Sequence, residues 1–407
     1  MGFAQSIRFA VIGDYGYAGQ AELDVSNLVK SWNPDFIITL GDNNYENGAA
    51  TTIDQNIGQY YHDYISPYTG SFGTGDTINR FFPALGNHDW RAVNAQPYLD
   101  YFTLHGNERY YDFVKGTVHF FVVDSDSNEP DGRTGVSTQA QWLHDKLANS
   151  IAQWKLVYFH HAPYSSGTRH GSNVNLQWQF QTWGATAVLA GHEHNYERIT
   201  INNFPYFVNG LGGRSLYAFG TPISGSQVRY NSDYGAMLVE ANTDSIVFKF
   251  ITRTGVTIDT YTLHSSTQIT LDQGWNMVSL PRHVADSAVS TIFPSAVSQA
   301  FSYNGVTYEP HDSMQTRLGY WIKSDSSQSI QLFGTSVHRD TITVSQDWNL
   351  IGTIADPIDV NDIVQNPAGI VVSPFFGYKG MYRAADTLYP GKAYWVKVNQ
   401  SGMLIMD

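Results

Sequence analysis

Cysteine is absent from all 407 residues. That excludes disulfides, thiolate zinc sites and cysteine nucleophiles together, and leaves the redox compartment open. Charge is sparse as well, with Asp, Glu, Lys and Arg making up 14% of the chain. Lys and Arg number only 23 against 36 acidic residues, a formal net charge of −13. Such a balance argues against nucleic acid or an anionic membrane as the main partner. No apolar run reaches membrane-spanning length. The opening Met1-Gly2-Phe3-Ala4-Gln5 is no signal peptide, so the chain reads as cytosolic or as a mature form without its leader. Low charge density and many Ser, Thr, Asn and Gly favour the exported form, secreted or periplasmic.

What is present is ordered along the chain. The length fits two or three domains. Apolar runs at 7–12, 36–40, 81–85, 118–123, 155–159, 187–190 and 206–208 are mostly rich in Val, Ile and Phe, as buried strands are. Between them, 20–32 and 137–153 carry apolar residues at helical spacing, with Ser137 or Thr138 as N-cap. Strand-then-helix alternation implies an α/β layer architecture. Three β runs follow, at 235–240, 245–251 and 256–263, separated by turn residues as in a meander.

The last third repeats. Ile269-Thr-Leu-Asp-Gln-Gly-Trp275-Asn-Met-Val-Ser matches Ile342-Thr-Val-Ser-Gln-Asp-Trp348-Asn-Leu-Ile-Gly, and Gly319-Tyr-Trp321-Ile-Lys matches Ala393-Tyr-Trp395-Val-Lys. The offsets are 73 (348 − 275) and 74 (395 − 321) residues. A near-constant period predicts a duplicated all-β module, with repeats at about 267–338 and 340–407. The boundary falls at 264/265, giving domains 1–264 and 265–407. The four tryptophans are expected to be packing residues; a sugar-stacking platform for carbohydrate or surface attachment is the alternative.

Five short motifs end five of the first-domain runs: GDYG at Asp14, GDNNY at Asp42, GNHD at Asn87–His88, HHAP at His161, and GHEH at His192 and His194. Strand ends in an open α/β sheet are where ligands bind, so these residues converge. His192 and His194 are two apart, which in an extended segment points both rings to one side. Carboxylate, amide and imidazole without sulfur suit iron, manganese or zinc. One shared carboxylate among six or seven ligands implies two ions roughly 3.5–4 Å apart. Taken singly, a Gly-Asp after a strand is usually a turn.

In order and wording the five motifs resemble the calcineurin-like metallophosphoesterase superfamily. Tyr45, three residues after Asp42, and His170, nine after His161, narrow the resemblance to the small purple acid phosphatases. It covers about residues 7–263 and not the β module. The resemblance implies a four-layer α-β-β-α sandwich. It implies Fe(III) on Asp14, Tyr45 and His194, a divalent Fe, Zn or Mn on Asn87, His161 and His192, and Asp42 bridging the two. That family places its ligand two residues before proline, which selects His161 over His160. His88 and His170 would bind a small phosphate-ester substrate, one of them protonating the leaving group. The expected reaction is phosphomonoester hydrolysis by a metal-bound hydroxide, an acid phosphatase activity. A phosphodiesterase or nucleotidase of the same superfamily is the near rival, and an inactive binding or adhesive protein the rival of another class. Glu193 and Asp89 are expected to support the histidines rather than bind metal. His62, His105, His119 and His144 fall in no motif and are expected to be surface or packing residues, while Arg169 is either a phosphate contact or solvated.

Overall fold

The computed structural model describes residues 6–407, so the opening pentapeptide, on which the expectation about a leader rests, lies outside the described residues. The chain divides into two compact units between Leu263 and His264. In the first unit the strands run β1 Ile7–Ile12, β2 Phe36–Thr39, β3 Phe81–Pro83, β4 Tyr111–Lys115, β5 Val118–Val122, β6 Trp154–His161 and β7 Ala187–Gly191. They continue as β8 Tyr196–Ile201, β9 Phe204–Asn209, β10 Ser226–Tyr230, β11 Gly235–Ala241, β12 Ser245–Thr252 and β13 Thr257–His264. Two mixed sheets result. One has the order β13-β12-β11-β1-β2-β3 and the other β10-β8-β9-β7-β6-β5-β4.

The residue pattern shows why the sheets stack. Along β1, Phe9 and Val11 point into the core between the sheets, where they join Phe36, Phe120, Leu156 and Phe248. Ala10 and Ile12 point the other way, against Val25 and Val29 of the helix Gln20–Ser31. On the far side, Leu143 and Leu147 of the helix Thr138–Asn149 cover Phe121, Val157 and Val188 of the second sheet. Both faces of the central strands are therefore buried, and β1, β2, β6, β7 and β9 read as continuous apolar runs rather than alternating ones. Burying each Leu or Phe contributes about 1.5–3 kcal/mol. The result is a four-layer α-β-β-α sandwich.

Ser137 caps the second helix, its hydroxyl accepting from the Ala140 amide at 3.3 Å. Strands β1, β2 and β3 are parallel, as are β5, β6, β7 and β9. Within each set the carboxyl ends face one way, and the loops after β1, β2, β3, β6 and β7 carry the five motifs.

The second unit is built of small antiparallel sheets. Two of them have four strands in the same order. One runs Gly274–Ser279, Gly319–Ser324, Ala300–Tyr303, Tyr308–His311; the other runs Asp347–Ile351, Tyr394–Val398, Phe375–Tyr378, Tyr382–Ala385. Buried clusters form around Val278, Leu280, Ile322 and Phe293, around Val396, Leu404, Ile342 and Phe375, and, smaller, around Met277, Leu350 and Ala393. Trp321 and Trp395 pack against Met277, Leu350 and Ala393, as core residues were expected to, whereas Trp275 and Trp348 stay 44% and 39% exposed, which overturns that expectation for those two. Among the described residues no helix is long and apolar enough to cross a membrane.

Candidate metal centre

Asp14 and Asp42 are buried, and each sits in a left-handed backbone conformation with φ of 54° just after its strand. Asp tolerates that conformation better than most residues, and strain of this kind collects at functional sites. The turn sends the Asp14 carboxylate across to the second sheet. There its Oδ2 accepts from the His192 amide at 2.8 Å, and its Oδ1 lies 3.2 Å from His194 Nε2. The Tyr45 hydroxyl is 3.1 Å from Asp14 Oδ1 and 3.2 Å from the same His194 nitrogen. Asp42 Oδ1 accepts from the His88 amide at 2.8 Å and lies 3.4 Å from His160 Nε2.

His160 is the residue sequence reasoning set aside. Ligand atoms of Asp14, Asp42 and His160 all lie within 4.8 Å of one another. Its Nδ1 is 2.8 Å from the Leu40 carbonyl oxygen, so that nitrogen carries a proton and Nε2 faces the cluster. There Nε2 lies 3.1 Å from Asn87 Oδ1 and 3.0 Å from His192 Nδ1. Gly41, at φ 86°, makes the room, since a Cβ there would sit 2.7–2.8 Å from the His160 ring. The signal that could have found it is the doubled histidine at a strand end. The pairing of β6 with β7 shifts register between Phe159 and His161, so neither ring is turned away. His161 is near too, its ring 4.3 Å from that of His192, while its Nδ1 is 2.9 Å from the Ser125 hydroxyl.

His192 and His194 do not lie in an extended segment. β7 ends at Gly191 and His192 is left-handed at φ 70°. The turn sends their rings to opposite sides of Asp14. His192 goes toward His160, His161 and His170, and His194 toward Tyr45 and Tyr217, on which it stacks at 4.0 Å.

The two expected substrate histidines flank the cluster. His88 donates from Nδ1 to the Glu46 carbonyl at 2.6 Å and directs Nε2 to within 3.9 Å of Asp42. The His170 ring lies 3.9 Å from His192. Its backbone amide and that of Gly171 donate to Glu193 Oε1 at 2.5 and 2.6 Å. Glu193 thus holds the His170 loop in place. His161, His170 and His192 line a cleft of about 190 Å³ with Ser172 and Asn173. Asp89 Oδ2 accepts from the Asn43 and Gly86 amides, bracing the loop that carries Asp42. Arg169 lies over the Tyr217 ring at 5.6 Å. Of the four histidines outside the motifs, His119 joins Asp112 and His62 joins Asp63. His105 packs against Phe82, and His144 is half exposed beside Asp145.

Electrostatics fit a cation. Burial alone would raise the Asp14 carboxyl, but His194 and His160 hold it below its ordinary value. Burial lowers His160, yet Asp42 and Asp14 outweigh it and hold the imidazole above its ordinary value. His161 and His192 are pushed well below theirs by burial and by His160. Burial and then Asp42 raise the Tyr45 phenol well above its ordinary value and the Asp89 carboxyl to about 7. Among the described residues neither Asp14 nor Asp42 has a lysine or arginine partner. Two buried carboxylates, an amide oxygen and several imidazole nitrogens therefore crowd one point without a fixed counter-charge, a donor set that matches iron, zinc or manganese.

Residues 7–196 match the family model for the calcineurin-like phosphoesterases. Purple acid phosphatase 3 of Arabidopsis thaliana is 24% identical over 255 residues, 52% of this chain and 64% of that protein. The match therefore spans less than two thirds of that relative. Tartrate-resistant acid phosphatase type 5 of Mus musculus is 28% identical over 247 residues, 51% of this chain and 72% of that protein. Two solved structures share the fold. The purple acid phosphatase PPD1 from yellow lupin (Lupinus luteus) seeds has a TM-score of 0.53 at 18% identity, covering 64% of this chain and 55% of its own. GAP50 of Plasmodium has a TM-score of 0.51 at 23% identity, covering 64% and 89%.

Proposed function

We propose that the calcineurin-like phosphoesterase domain carried by the first unit is a two-metal acid phosphatase acting on small phosphomonoesters, in a protein exported from the cytoplasm. One observation carries the reading: the Tyr45 hydroxyl, Asp14 Oδ1 and His194 Nε2 meet within 3.2 Å. That trio is the phenolate, carboxylate and imidazole set that ferric iron takes in the family this chain resembles. Asp42 would bridge to a divalent Fe, Zn or Mn held by Asn87 and His192 with a histidine of the 160–161 pair.

When bound, such a pair of ions polarises a phosphoryl oxygen and makes hydroxide available near neutral pH. The chain's own residues supply the rest. His88 is oriented by the Glu46 carbonyl and presents Nε2 to the phosphoryl oxygens as charge builds on them. His170, held by Glu193 through its backbone, stands at the cleft mouth, where its ring delivers a proton to the departing alkoxide oxygen. Asp89 and Glu193 keep the loops in register and touch no substrate.

Fold alone does not imply catalysis, and GAP50 is described as an anchor in an inner membrane complex. The test is hydrolysis of p-nitrophenyl phosphate against bis-p-nitrophenyl phosphate, with His192→Ala beside the wild type. The monoester is expected to be cleaved faster, and His192→Ala to lower that rate by at least roughly 100-fold. Faster cleavage of the diester moves the assignment to the phosphodiesterase rival. An unchanged His192→Ala rate removes the metal mechanism.

A further inference from the structure

The second unit carries two aromatic clefts, of about 490 and 440 Å³. We propose that together they bind an extended proline-rich peptide in the polyproline II conformation. The first cleft is built from Trp275, Phe301 and Trp321, with Tyr378 and Tyr382 as its other wall. The second is built from Trp348, Phe376 and Trp395, with Tyr303 and Tyr308 opposite. Each cleft thus takes its Trp-Phe-Trp face from one half of the unit and a tyrosine pair from the other. Tyr308 and Tyr382 line both, so the two clefts form one continuous track.

The two faces agree in geometry as well as in residue type. Trp275 meets Trp321 at 6.3 Å and 84°, and Trp348 meets Trp395 at 6.4 Å and 87°. The Trp275–Phe301 and Trp348–Phe376 pairs are both 6.1 Å apart, at 57° and 52°. Trp321 meets Tyr378 at 4.8 Å, and Trp395 meets Tyr303 at 5.1 Å. Trp321, Trp395, Tyr303 and Tyr378 pack in part against Met277, Leu350 and Ala393, but packing does not account for the exposed rings beside them. Tyr308 and Tyr382, like Trp275 and Trp348, remain open to solvent. Contiguous exposed aromatic surface of this kind marks a binding site.

The lining chemistry selects the occupant. Every lining side chain is aromatic, and none is charged or carries a carboxylate or amide. The partner is therefore neutral and flat-sided. Its hydrogen bonds must suit hydroxyl donors, for Tyr308 and Tyr382, which line both clefts, are the exposed polar side chains there. Proline meets both needs, having a rigid apolar ring, no N–H and a free carbonyl acceptor. In polyproline II those carbonyls make no internal bonds, and aromatic grooves recognise them in this way. A saccharide brings as many donors as acceptors, and in these clefts its hydroxyl donors would find only tyrosine oxygens.

The experiment is calorimetric titration of the full-length chain with an N-acetylated, C-amidated proline decamer, and separately with a neutral glucose hexasaccharide. Saturable binding of the decamer and none of the hexasaccharide is expected. Trp275→Ala and Trp348→Ala should each weaken binding at least roughly tenfold, and the double variant should abolish it, with phosphate-ester hydrolysis unchanged. Tyr308→Phe keeps a ring in place and removes only the hydroxyl, and it too should weaken binding. No decamer binding, decamer binding unchanged in the double variant, or binding of the hexasaccharide in place of the decamer each overturns the proposal.

Discussion

Glu22 lies in the helix Gln20–Ser31, fully buried, with the Tyr17 amide beside its carboxylate to favour the charged form. Burial pushes its carboxyl well above the ordinary value of 4.5. The folded state therefore keeps a proton that the unfolded chain releases above about pH 4.5. Its contribution is favourable below that pH and is lost as pH rises, at up to about 1.4 kcal/mol per pH unit. Thermal unfolding of Glu22→Gln should depend on pH less steeply than the wild type between pH 5 and 8; identical slopes would show that Glu22 is ionised when folded. At Tyr45 the expectation is spectroscopic. The proposed ferric site predicts a visible phenolate-to-iron charge-transfer band that Tyr45→Phe loses while binding iron more weakly, and a band unaltered in the variant would contradict that site. Residue by residue, Asp14, Asp42, Tyr45, Asn87 and His194 each come within 3.4 Å of another member of the cluster. What spacing could not give was the backbone conformation. The left-handed turn at His192 and the register shift beside His160 are set by packing of the two sheets, and neither leaves a mark in the motif itself.

Among the elements, the helix Thr138–Asn149 shows how a local signal becomes structure. Ser137→Ala removes its cap and should cost about 1 kcal/mol of stability, measured by denaturant titration with the slope unchanged. No loss would mean the first turn is held by tertiary packing alone. The buried central strands were legible because both faces are apolar. Three others were not. β4 and β10 lie at sheet edges, where one face meets solvent and the apolar run breaks. β8 contains Glu197 and Arg198, and that charge hides it. Structure resolves the conflict: Glu197 accepts from Ser165, Ser166 and Ser226, and Arg198 pairs with Asp259. Long-range partners of this kind cannot be read from a window of sequence.

The whole molecule consists of two units with separate cores. Scanning calorimetry of the full chain should therefore resolve two unfolding transitions, the first unit's shifting with added metal and the second unit's staying fixed. A single transition moving as one would contradict that division. At this scale the change from α/β to all-β was plain in the sequence, and so was the internal similarity of its last third. The aromatic clefts were not, because whether a tryptophan faces a core or solvent depends on which strands pair. The central claim is that the converging carboxylates and histidines hold two ions that make this chain a phosphatase. Elemental analysis of protein purified without chelator, before and after metal stripping and with hydrolysis of p-nitrophenyl phosphate followed alongside, tests it most directly. Two ions per chain are expected, one of them iron, with activity lost on stripping and restored on reloading; full activity in the stripped, metal-free protein would rule out the two-metal site.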